Sequence, residues 1–323
     1  MTLLLKRLPP AEWALYGAFA LLWAIACAGP HVAQHTHYHA FADQRMAWGL
    51  PHALDVLTNL PFALLGGAGL WAVVRWTRAA SGTERVITAG LCALFFGGLL
   101  LTAVGSSLYH WQPQDATLLW DRAGMLVAFA GVIGLAVAGR IGPRPACVAA
   151  LLVLAAGALA LSTWAATGQF LPWAVLQGGG MVLVVVLALR PQRSESLPVS
   201  LAAVIGWYAL AKVLELGDHA VWGWTEGIVS GHSLKHVAAA LAAWPVLAAL
   251  RSPVSGARSP GSYFAQCVRV TAWRVPAAPA PQPRKAAPDS RRSPGTMAAG
   301  VTEGAALHAA LRRPNPPSHR SMA

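Results

Sequence analysis

Five polar side chains lie at the ends of long hydrophobic segments: Ser106, His110, Asp121, His232 and His236. Ser106 and His110 are four residues apart, and so are His232 and His236, which places each pair on one face of a helix. Ionisable groups at membrane depth are costly, so each is expected to have a partner or a chemical function. Three imidazoles, a carboxylate and a hydroxyl that converge are the usual parts of a catalytic zinc site.

The chemistry divides these residues into metal ligands and catalytic groups. Catalytic zinc takes three protein ligands and keeps one position for water, so His110, His232 and His236 are the predicted ligands. Zinc lowers the pKa of its bound water to about 7, and Asp121 could then act as general base and afterwards as general acid. Ser106, one turn from His110, could donate a hydrogen bond to the developing oxyanion. A histidine in a membrane helix is also commonly a hydrogen-bonding core residue, and that alternative stays open.

The composition predicts an all-α, polytopic transmembrane helical bundle. The chain is 56% hydrophobic and 11% charged, whereas about 25% charge is normal for a soluble domain. It holds eight apolar stretches of membrane-spanning length. These predict a seven-helix core with one extra helix before it. The stretches are residues 13–29, 51–74, 87–110, 119–139, 146–164, 171–189, 199–216 and 232–250.

The charges of the connecting loops predict the orientation. Basic residues precede the first stretch and follow each even-numbered stretch, whereas the other loops carry mainly acidic residues. By the positive-inside rule, both termini are cytoplasmic and the five polar residues lie towards the exterior. The basic residues on the predicted cytoplasmic side are Lys6, Arg7, Arg75, Arg78, Arg85, Arg140, Arg144, Arg190, Arg193 and Arg251.

The predicted organisation has three parts. Residues 1–42 hold the extra helix and a histidine-rich exterior loop, 43–250 form the seven-helix membrane domain, and 251–323 form a tail. The first stretch, with Lys6 and Arg7 before it, also resembles a signal peptide. The prolines and the acidic residue within the would-be basic region favour a retained helix instead.

The tail is predicted to be disordered and basic. It carries eleven Lys and Arg residues against Asp289 and Glu303, a net +9 of the total +12, and eleven of the 23 prolines. Such a segment cannot bury enough apolar area to offset its ordering entropy. Its charge could attract anionic lipid headgroups or be incidental, and it is not an indication of nucleic-acid binding. The four cysteines suggest no disulfide framework.

Several polar residues outside this group of five could be functional or structural. The four histidines of the exterior loop could bind a metal, but their flanking residues impose no fixed geometry. Asp55 and Asn59 share a helix face and are either functional or an inter-helix hydrogen-bonding pair. Lys212 and Glu215 are predicted to form a structural ion pair, and His219 is predicted to be a loop histidine. The four loop histidines are His31, His35, His37 and His39.

The spacing of the five residues resembles that of a known family. Ser106-x-x-x-His110, then Asp121 eleven residues on, then His232-x-x-x-His236 in the last stretch is similar to the alkaline ceramidases. These belong to a superfamily of seven-helix zinc hydrolases that includes the adiponectin and progestin receptors. The resemblance covers about 43–250. Its local context is Ser106-Ser107-Leu108-Tyr109-His110, Trp120-Asp121-Arg122, Ser230-Gly231-His232-Ser233-Leu234-Lys235-His236 and Asp55-Val56-Leu57-Thr58-Asn59-Leu60.

The resemblance implies an enzyme that hydrolyses the amide bond of a ceramide-like lipid to a sphingoid base and a fatty acid. It implies zinc on the three histidines, proton transfer by Asp121 and oxyanion support by Ser106. One feature departs from the family. Eukaryotic members bind calcium through an acidic cluster ahead of the first core helix, whereas residues 42–48 here contain only Asp43 as an acidic residue. Calcium binding is therefore doubtful.

Two other classes of function remain open from the sequence. One is a zinc-containing receptor or lipid-binding protein of the same superfamily. The other is a haem or metal-handling membrane protein, in which His110 and either His232 or His236 would be axial ligands. An intramembrane serine protease is disfavoured, because Gly105-Ser106-Ser107 lacks the usual Gly-x-Ser-Gly pattern and the histidine pair would have no role.

Overall fold

The computed structural model describes residues 8–78 and 82–252, and this part of the chain holds eleven α-helices and no β-strand. Nearly all of the predicted tail, from residue 253 onward, lies outside the described residues. All described residues belong to one compact unit. The helices are α1 (Pro10–Ala28), α2 (Ala53–Leu57), α3 (Leu60–Arg78), α4 (Thr83–Trp111), α5 (Asp115–Arg140), α6 (Pro143–Thr167), α7 (Leu171–Ala188), α8 (Leu201–Leu216), α9 (Asp218–Trp224), α10 (Gly231–Leu241) and α11 (Trp244–Arg251).

Within the described ranges, seven helical spans are long and apolar enough to cross a membrane: α1, α2 with α3, α4, α5, α6, α7, and α10 with α11. The protein is therefore a multi-pass membrane protein with an all-α bundle, as the sequence predicts. The seventh predicted stretch, residues 199–216, forms α8, which has 16 residues. At 1.5 Å per residue it is about 24 Å long, shorter than the roughly 30 Å of a bilayer core.

Proline interrupts two of the predicted stretches. The stretch 51–74 divides into α2 and α3 at Thr58 and Asn59, just before Pro61, and the last stretch divides ahead of Pro245. Proline lacks the N–H that a continuous helix requires and disfavours helical geometry in the residue before it. The first break brings the side chain of Thr58 next to the predicted zinc ligands.

Four connecting segments meet at one end of the bundle, here called the histidine end. The backbone N–H of Phe170 donates to the carbonyl of Val32 at 2.7 Å, and that of Ala42 donates to Oδ2 of Asp218 at 2.9 Å. These bonds join loops that the sequence predicts to be exterior. The segments of the histidine end are residues 29–52, 112–114, 168–170 and 217–230.

Three other parts of the described chain meet at the opposite end. Arg193 donates to Oε1 of Glu84 at 2.7 Å through its guanidinium and to the carbonyl of Gly139 at 2.9 Å through its backbone. The start of α4, the end of α5 and the loop after α7 are thus adjacent. The loops group by end as the charges predict, whereas the side of the membrane that each end faces stays a prediction.

Helices α4 and α5 pack closely at the level of the predicted site. A methyl group on Gly105 would lie 2.3 Å from the carbonyl oxygen of Trp120, so only glycine allows this approach. Helix α5 begins at Asp115, four residues before the predicted stretch, because Gln114 and Thr117 form a capping box at its start. Asp121 is consequently in the second turn of α5, beside the last turns of α4.

The three described cysteines, Cys27, Cys92 and Cys147, are free thiols. The absence of a disulfide framework is therefore confirmed for the described residues. Cys267 lies outside them.

Candidate metal centre and adjoining cavity

His110, His232 and His236 meet at the histidine end of the bundle. One nitrogen of each imidazole lies within 4.8 Å of the others, and Nε2 of His110 is 3.2 Å from Nε2 of His232. All three side chains are buried. The predicted convergence of these histidines is confirmed, and the cluster could bind a metal ion.

Two carboxylates and a serine hold the start of α10, which carries two of the histidines. Ser230 caps the helix by accepting from the backbone N–H of Ser233 at 2.9 Å. Asp218 accepts from the backbone N–H of His232 at 2.8 Å, and Asp55 accepts from the hydroxyl of Ser233 at 2.6 Å. Acidic groups at a helix N-terminus satisfy unpaired N–H groups and complement the helix dipole. The position of His232 therefore depends on contacts from α2 and α9.

These contacts bear on the two interpretations of Asp55 and Asn59. The carboxylate of Asp55 bonds across to α10, and the amide of Asn59 donates to the backbone carbonyl of Asp55 at 2.9 Å. Both side chains are fully buried. Asp55 therefore makes an inter-helix hydrogen bond, which supports the metal cluster indirectly, whereas Asn59 bonds within its own segment.

The orientation of His236 is determined by Thr58. The hydroxyl of Thr58 donates its proton to the carbonyl of Leu54 at 2.7 Å, so it accepts from Nδ1 of His236 at 3.0 Å. A proton on Nδ1 leaves Nε2 with a free lone pair, which is the form that binds a metal. No motif in the sequence points to Thr58, although Pro61, three residues later, is a signal for a break in the helix.

The donor set fits a transition-metal ion. Two imidazole nitrogens 3.2 Å apart have the separation of two ligands of one tetrahedral ion, which is about 3.3 Å for metal–nitrogen bonds of 2.0–2.1 Å. Imidazole suits zinc, copper, iron and nickel. A shared cation would satisfy all three nitrogens together, whereas a proton can serve only one pair.

Phe41 covers the cluster on the side of the histidine end. Its ring centroid lies 4.7 Å from that of His110 and 4.4 Å from that of His232. Asp218 anchors this cover, because its two oxygens accept from the backbone N–H groups of Ala42 and His232. The segment 29–52 is therefore part of the site, which no spacing in the sequence indicates.

Asp43, the one acidic residue in the region compared with the calcium cluster, is bound by an arginine. Arg45 donates to Oδ1 of Asp43 at 2.9 Å and to Oδ2 at 2.7 Å. Burial by itself would raise the pKa of Asp43, but the hydrogen bonds and charge of Arg45 hold that pKa below its ordinary value. Both carboxylate oxygens of Asp43 are therefore engaged within the segment.

A cavity of about 170 Å³ extends from the cluster into the bundle. Ser106, Asp121 and His236 line one end of it. The walls beyond are mainly apolar and include Phe62, Phe95, Leu99, Phe129, Val132 and Val184. From Asp121 to Val132 the cavity follows α5 for eleven residues, or about 16 Å.

The two neighbouring serines of α4 differ in their surroundings. Ser106 is buried and lines the cavity. The hydroxyl of Ser107 instead lies 3.4 Å from the backbone carbonyl of Val56, to which it donates. The helical register thus directs Ser106, and not Ser107, to the cavity that Asp121 and His236 share.

A network of three charged residues also lines this end of the cavity. Lys212 donates to Oε2 of Glu215 at 2.5 Å, which confirms the predicted ion pair. Lys235 donates to Oε1 of the same carboxylate at 2.8 Å. The sequence did not predict this second partner of Glu215. Lys235 lies three residues after His232 and directly before His236. This position indicates that Lys235 is close to the predicted ligands, but it does not indicate the partner Glu215.

The histidines of the exterior loop do not gather into a second metal cluster within the described chain. His39 lies 2.8 Å from the hydroxyl of Tyr109 and 3.2 Å from Oδ1 of Asp115. His35 accepts from the backbone N–H of His37 at 3.2 Å. His219, predicted to be a loop histidine, is exposed and bonds to the carbonyl of Ala40 at 3.2 Å.

Fold and site together define a class of protein, a multi-pass membrane bundle with a buried three-histidine cluster beside an apolar cavity. No protein-family model matches the chain, and no curated protein matches it.

Proposed function

We propose that the protein is a membrane-embedded, zinc-dependent amidohydrolase that cleaves a ceramide-like lipid into a sphingoid base and a fatty acid. The observation that carries this proposal is the shared end of the cavity, where Ser106, Asp121 and His236 lie together. The resemblance of the sequence to alkaline ceramidases supports the lipid and amide classes.

The three histidines would hold the metal. His110, His232 and His236 bring three buried nitrogens together, and Thr58 leaves Nε2 of His236 free to bind. When bound, zinc would supply Lewis acidity and lower the pKa of a water molecule to about 7. Three neutral imidazoles on rigid helices suit such a site, because their geometry is retained whether or not a substrate is present.

Asp121 and Ser106 would perform the proton and hydrogen-bond chemistry. In hydrolysis the oxygen of water adds to the amide carbon, the carbon–nitrogen bond breaks, and a proton must pass to the leaving nitrogen. Asp121 would accept the proton from water and deliver it to that nitrogen. The hydroxyl of Ser106 would donate to the carbonyl oxygen as negative charge develops there.

The apolar cavity would bind a hydrocarbon chain. Its extent of about 16 Å along α5 is close to half the roughly 30 Å thickness of a bilayer core. A chain in one leaflet could therefore fill it while the amide lies near His236. Phe41 covers the cluster at the histidine end. The lipid would therefore reach the cluster through the cavity and not from the histidine end.

The geometry favours a metal ion over haem. The centroids of the three imidazole rings lie 4.8, 4.9 and 5.0 Å apart. A bis-histidine haem places a wide, flat macrocycle between its two axial ligands, and the third ring occupies that space here. A lipid-binding protein of the same superfamily would retain both metal and cavity, so turnover is the property that distinguishes it.

The test combines metal analysis and lipid-amidase assays on detergent-purified, full-length protein. The wild type should contain one zinc per chain and hydrolyse a ceramide. His110→Ala, His232→Ala and His236→Ala should each lose the metal, whereas His35→Ala, at an exposed loop histidine, should keep it. Asp121→Asn should keep the metal and lose roughly 100- to 10,000-fold in activity.

Two results would contradict the proposal. Full metal occupancy in two of the three histidine variants would refute the ligand assignment. A metal-loaded wild type that hydrolyses no lipid amide would instead assign the cavity to lipid binding without turnover.

A further inference from the structure

We propose that the preferred substrate is an N-acyl lipid with an anionic head group, and that Lys212 and Lys235 bind this anion. The inference rests on the proposed function, in that the cavity is taken as the substrate site. It names the class of head group that the polar end of this cavity recognises.

The first observation is the sharing of one carboxylate by two ammonium groups. Glu215 accepts from Lys212 through Oε2 and from Lys235 through Oε1, so both of its oxygens are engaged. An ammonium group has three N–H donors. Each lysine makes one side-chain hydrogen bond within the described part of the chain, which leaves two donors on each.

The second observation is the location of these donors. Lys212, Glu215 and Lys235 line the same cavity as Asp121 and His236, and most of the remaining wall is apolar. The side chains of Lys212 and Lys235 are 44% and 19% exposed, so their remaining donors are accessible to a ligand. A ligand that brings acceptor oxygens to this end of the cavity could therefore bind both ammonium groups.

The charge of the network favours an anionic acceptor over a neutral one. Two ammonium groups and one carboxylate carry a net charge of +1. Asp121 makes no ion pair within the described residues. Asp121 therefore occupies none of the lysine N–H donors, which remain available to an anion. An anionic acceptor gains Coulomb attraction to both ammonium groups, which a neutral oxygen does not.

The position of the lysines places the proposed anion site close to the amide bond. Lys235 precedes His236 directly in α10, so the anion would bind near the metal cluster and close to the scissile bond. A carboxylate on the amine portion of the lipid, as in an N-acyl amino acid, meets this requirement. A phosphate on the head group offers the same acceptor chemistry.

The test compares lipids that differ only in the charge of the head group. N-palmitoylglycine and N-palmitoylethanolamine have the same acyl chain. The first ends in a carboxylate where the second has a hydroxymethyl group. Binding is measured by displacement of a fluorescent fatty-acid analogue from the full-length protein. A chelator stops turnover and removes direct metal–carboxylate binding, and thermal unfolding verifies that the protein remains folded. If chelation unfolds it, metal-loaded Asp121→Asn is used instead.

The wild type should bind the glycine lipid at least about tenfold more tightly than the ethanolamine lipid. Lys212→Met should reduce this ratio to within about twofold, whereas Lys212→Arg should retain it because the charge remains. Glu215→Gln should increase the ratio, since it removes the competing carboxylate. Lys212 is chosen over Lys235 because its side chain is more exposed and not adjacent to a predicted ligand.

The outcomes separate this inference from the proposed function. Equal binding of the glycine and ethanolamine lipids, combined with equal binding of ceramide phosphate and ceramide, would overturn the inference even if ceramide is hydrolysed. An unchanged ratio in Lys212→Met would also overturn it. A retained preference without hydrolysis of any amide would uphold the head-group assignment and refute the hydrolase. A preference for ceramide phosphate over ceramide, without one for the glycine lipid, would identify the anion as a phosphate.

Discussion

The hydroxyl oxygen of Thr58 lies 3.0 Å from Nδ1 of His236 and donates its own proton to the carbonyl of Leu54. With that proton directed to Leu54, the oxygen of Thr58 is placed to accept from Nδ1 of His236, in the tautomer that leaves Nε2 free. Thr58 lies at the break in the second predicted stretch, just before Pro61. A break in one helix thus provides a hydrogen-bond acceptor for a candidate ligand on another.

Thr58→Val should lower zinc affinity by roughly 10- to 100-fold, the usual effect of losing an outer hydrogen bond to a ligating histidine. The isosteric side chain keeps the volume but cannot accept from Nδ1. Thr77→Val is the matched control, because Thr77 on the same span also donates to the carbonyl four residues earlier. Competition with a metal chelator measures the affinity, and equal affinity in the two variants would exclude an orienting role for Thr58.

Ser106→Ala should reduce lipid-amidase activity by roughly 100-fold, because a donor to the developing oxyanion is lost. Ser107→Ala should remain close to wild type, since that hydroxyl bonds to the carbonyl of Val56. Steady-state kinetics on one ceramide substrate compares the two variants. The opposite ranking would mean that the wrong serine is assigned.

Gly105→Ala should destabilise the bundle by about 1–3 kcal/mol, because the added methyl group overpacks a close helix contact. The backbone oxygen of Trp120, only 2.3 Å from that methyl position, cannot move without displacing α5. Gly97→Ala on the same helix has no atom within 4 Å of its added carbon and should not be destabilising. Thermal unfolding in detergent measures both variants, and equal stability would argue against the close approach of α4 and α5.

The orientation of the bundle can be tested with single cysteines in a cysteine-free background. Ala116→Cys and Ile228→Cys, both exposed at the histidine end, should react with a membrane-impermeant thiol reagent in intact cells. Ser194→Cys, exposed at the opposite end, should react only after lysis. The expectation follows from the positive-inside rule. Labelling of Ser194→Cys alone in intact cells would reverse the assigned orientation.

The ion pair between Asp43 and Arg45 should make the cover over the cluster sensitive to acid. The folded protein holds the pKa of Asp43 below its ordinary value of 3.8. The pair therefore contributes its full stability above that value and loses it as the pH falls through the lowered pKa. Asp43→Asn should be less stable than wild type at neutral pH, and the difference should shrink in strong acid. A difference that is constant with pH would indicate that the charge of Asp43 is not involved.

Local sequence patterns predicted the class of fold and the metal cluster. Apolar runs of spanning length depend only on neighbouring residues, and the loop charges correctly grouped the loops by end. The spacing of His232 and His236 placed both on one helical face. Because successive stretches run in opposite directions, His110 was predicted to lie at the same end of the bundle as these two histidines. The structure confirms that the three meet. The ion pair of Lys212 with Glu215 was likewise predictable because it lies within one turn.

Tertiary structure decided which other side chains surround the cluster. Phe41 contacts His232 across 191 positions of sequence, and Thr58 contacts His236 across 178. No periodicity in either segment encodes such a contact, because it depends on how separate helices pack. The same holds for Lys235, whose partner Glu215 lies on another helix. Sequence alone determined the helices and the candidate ligands, whereas packing determined the cover, the orienting hydrogen bond and the charged end of the cavity, since these arise only where distant segments meet.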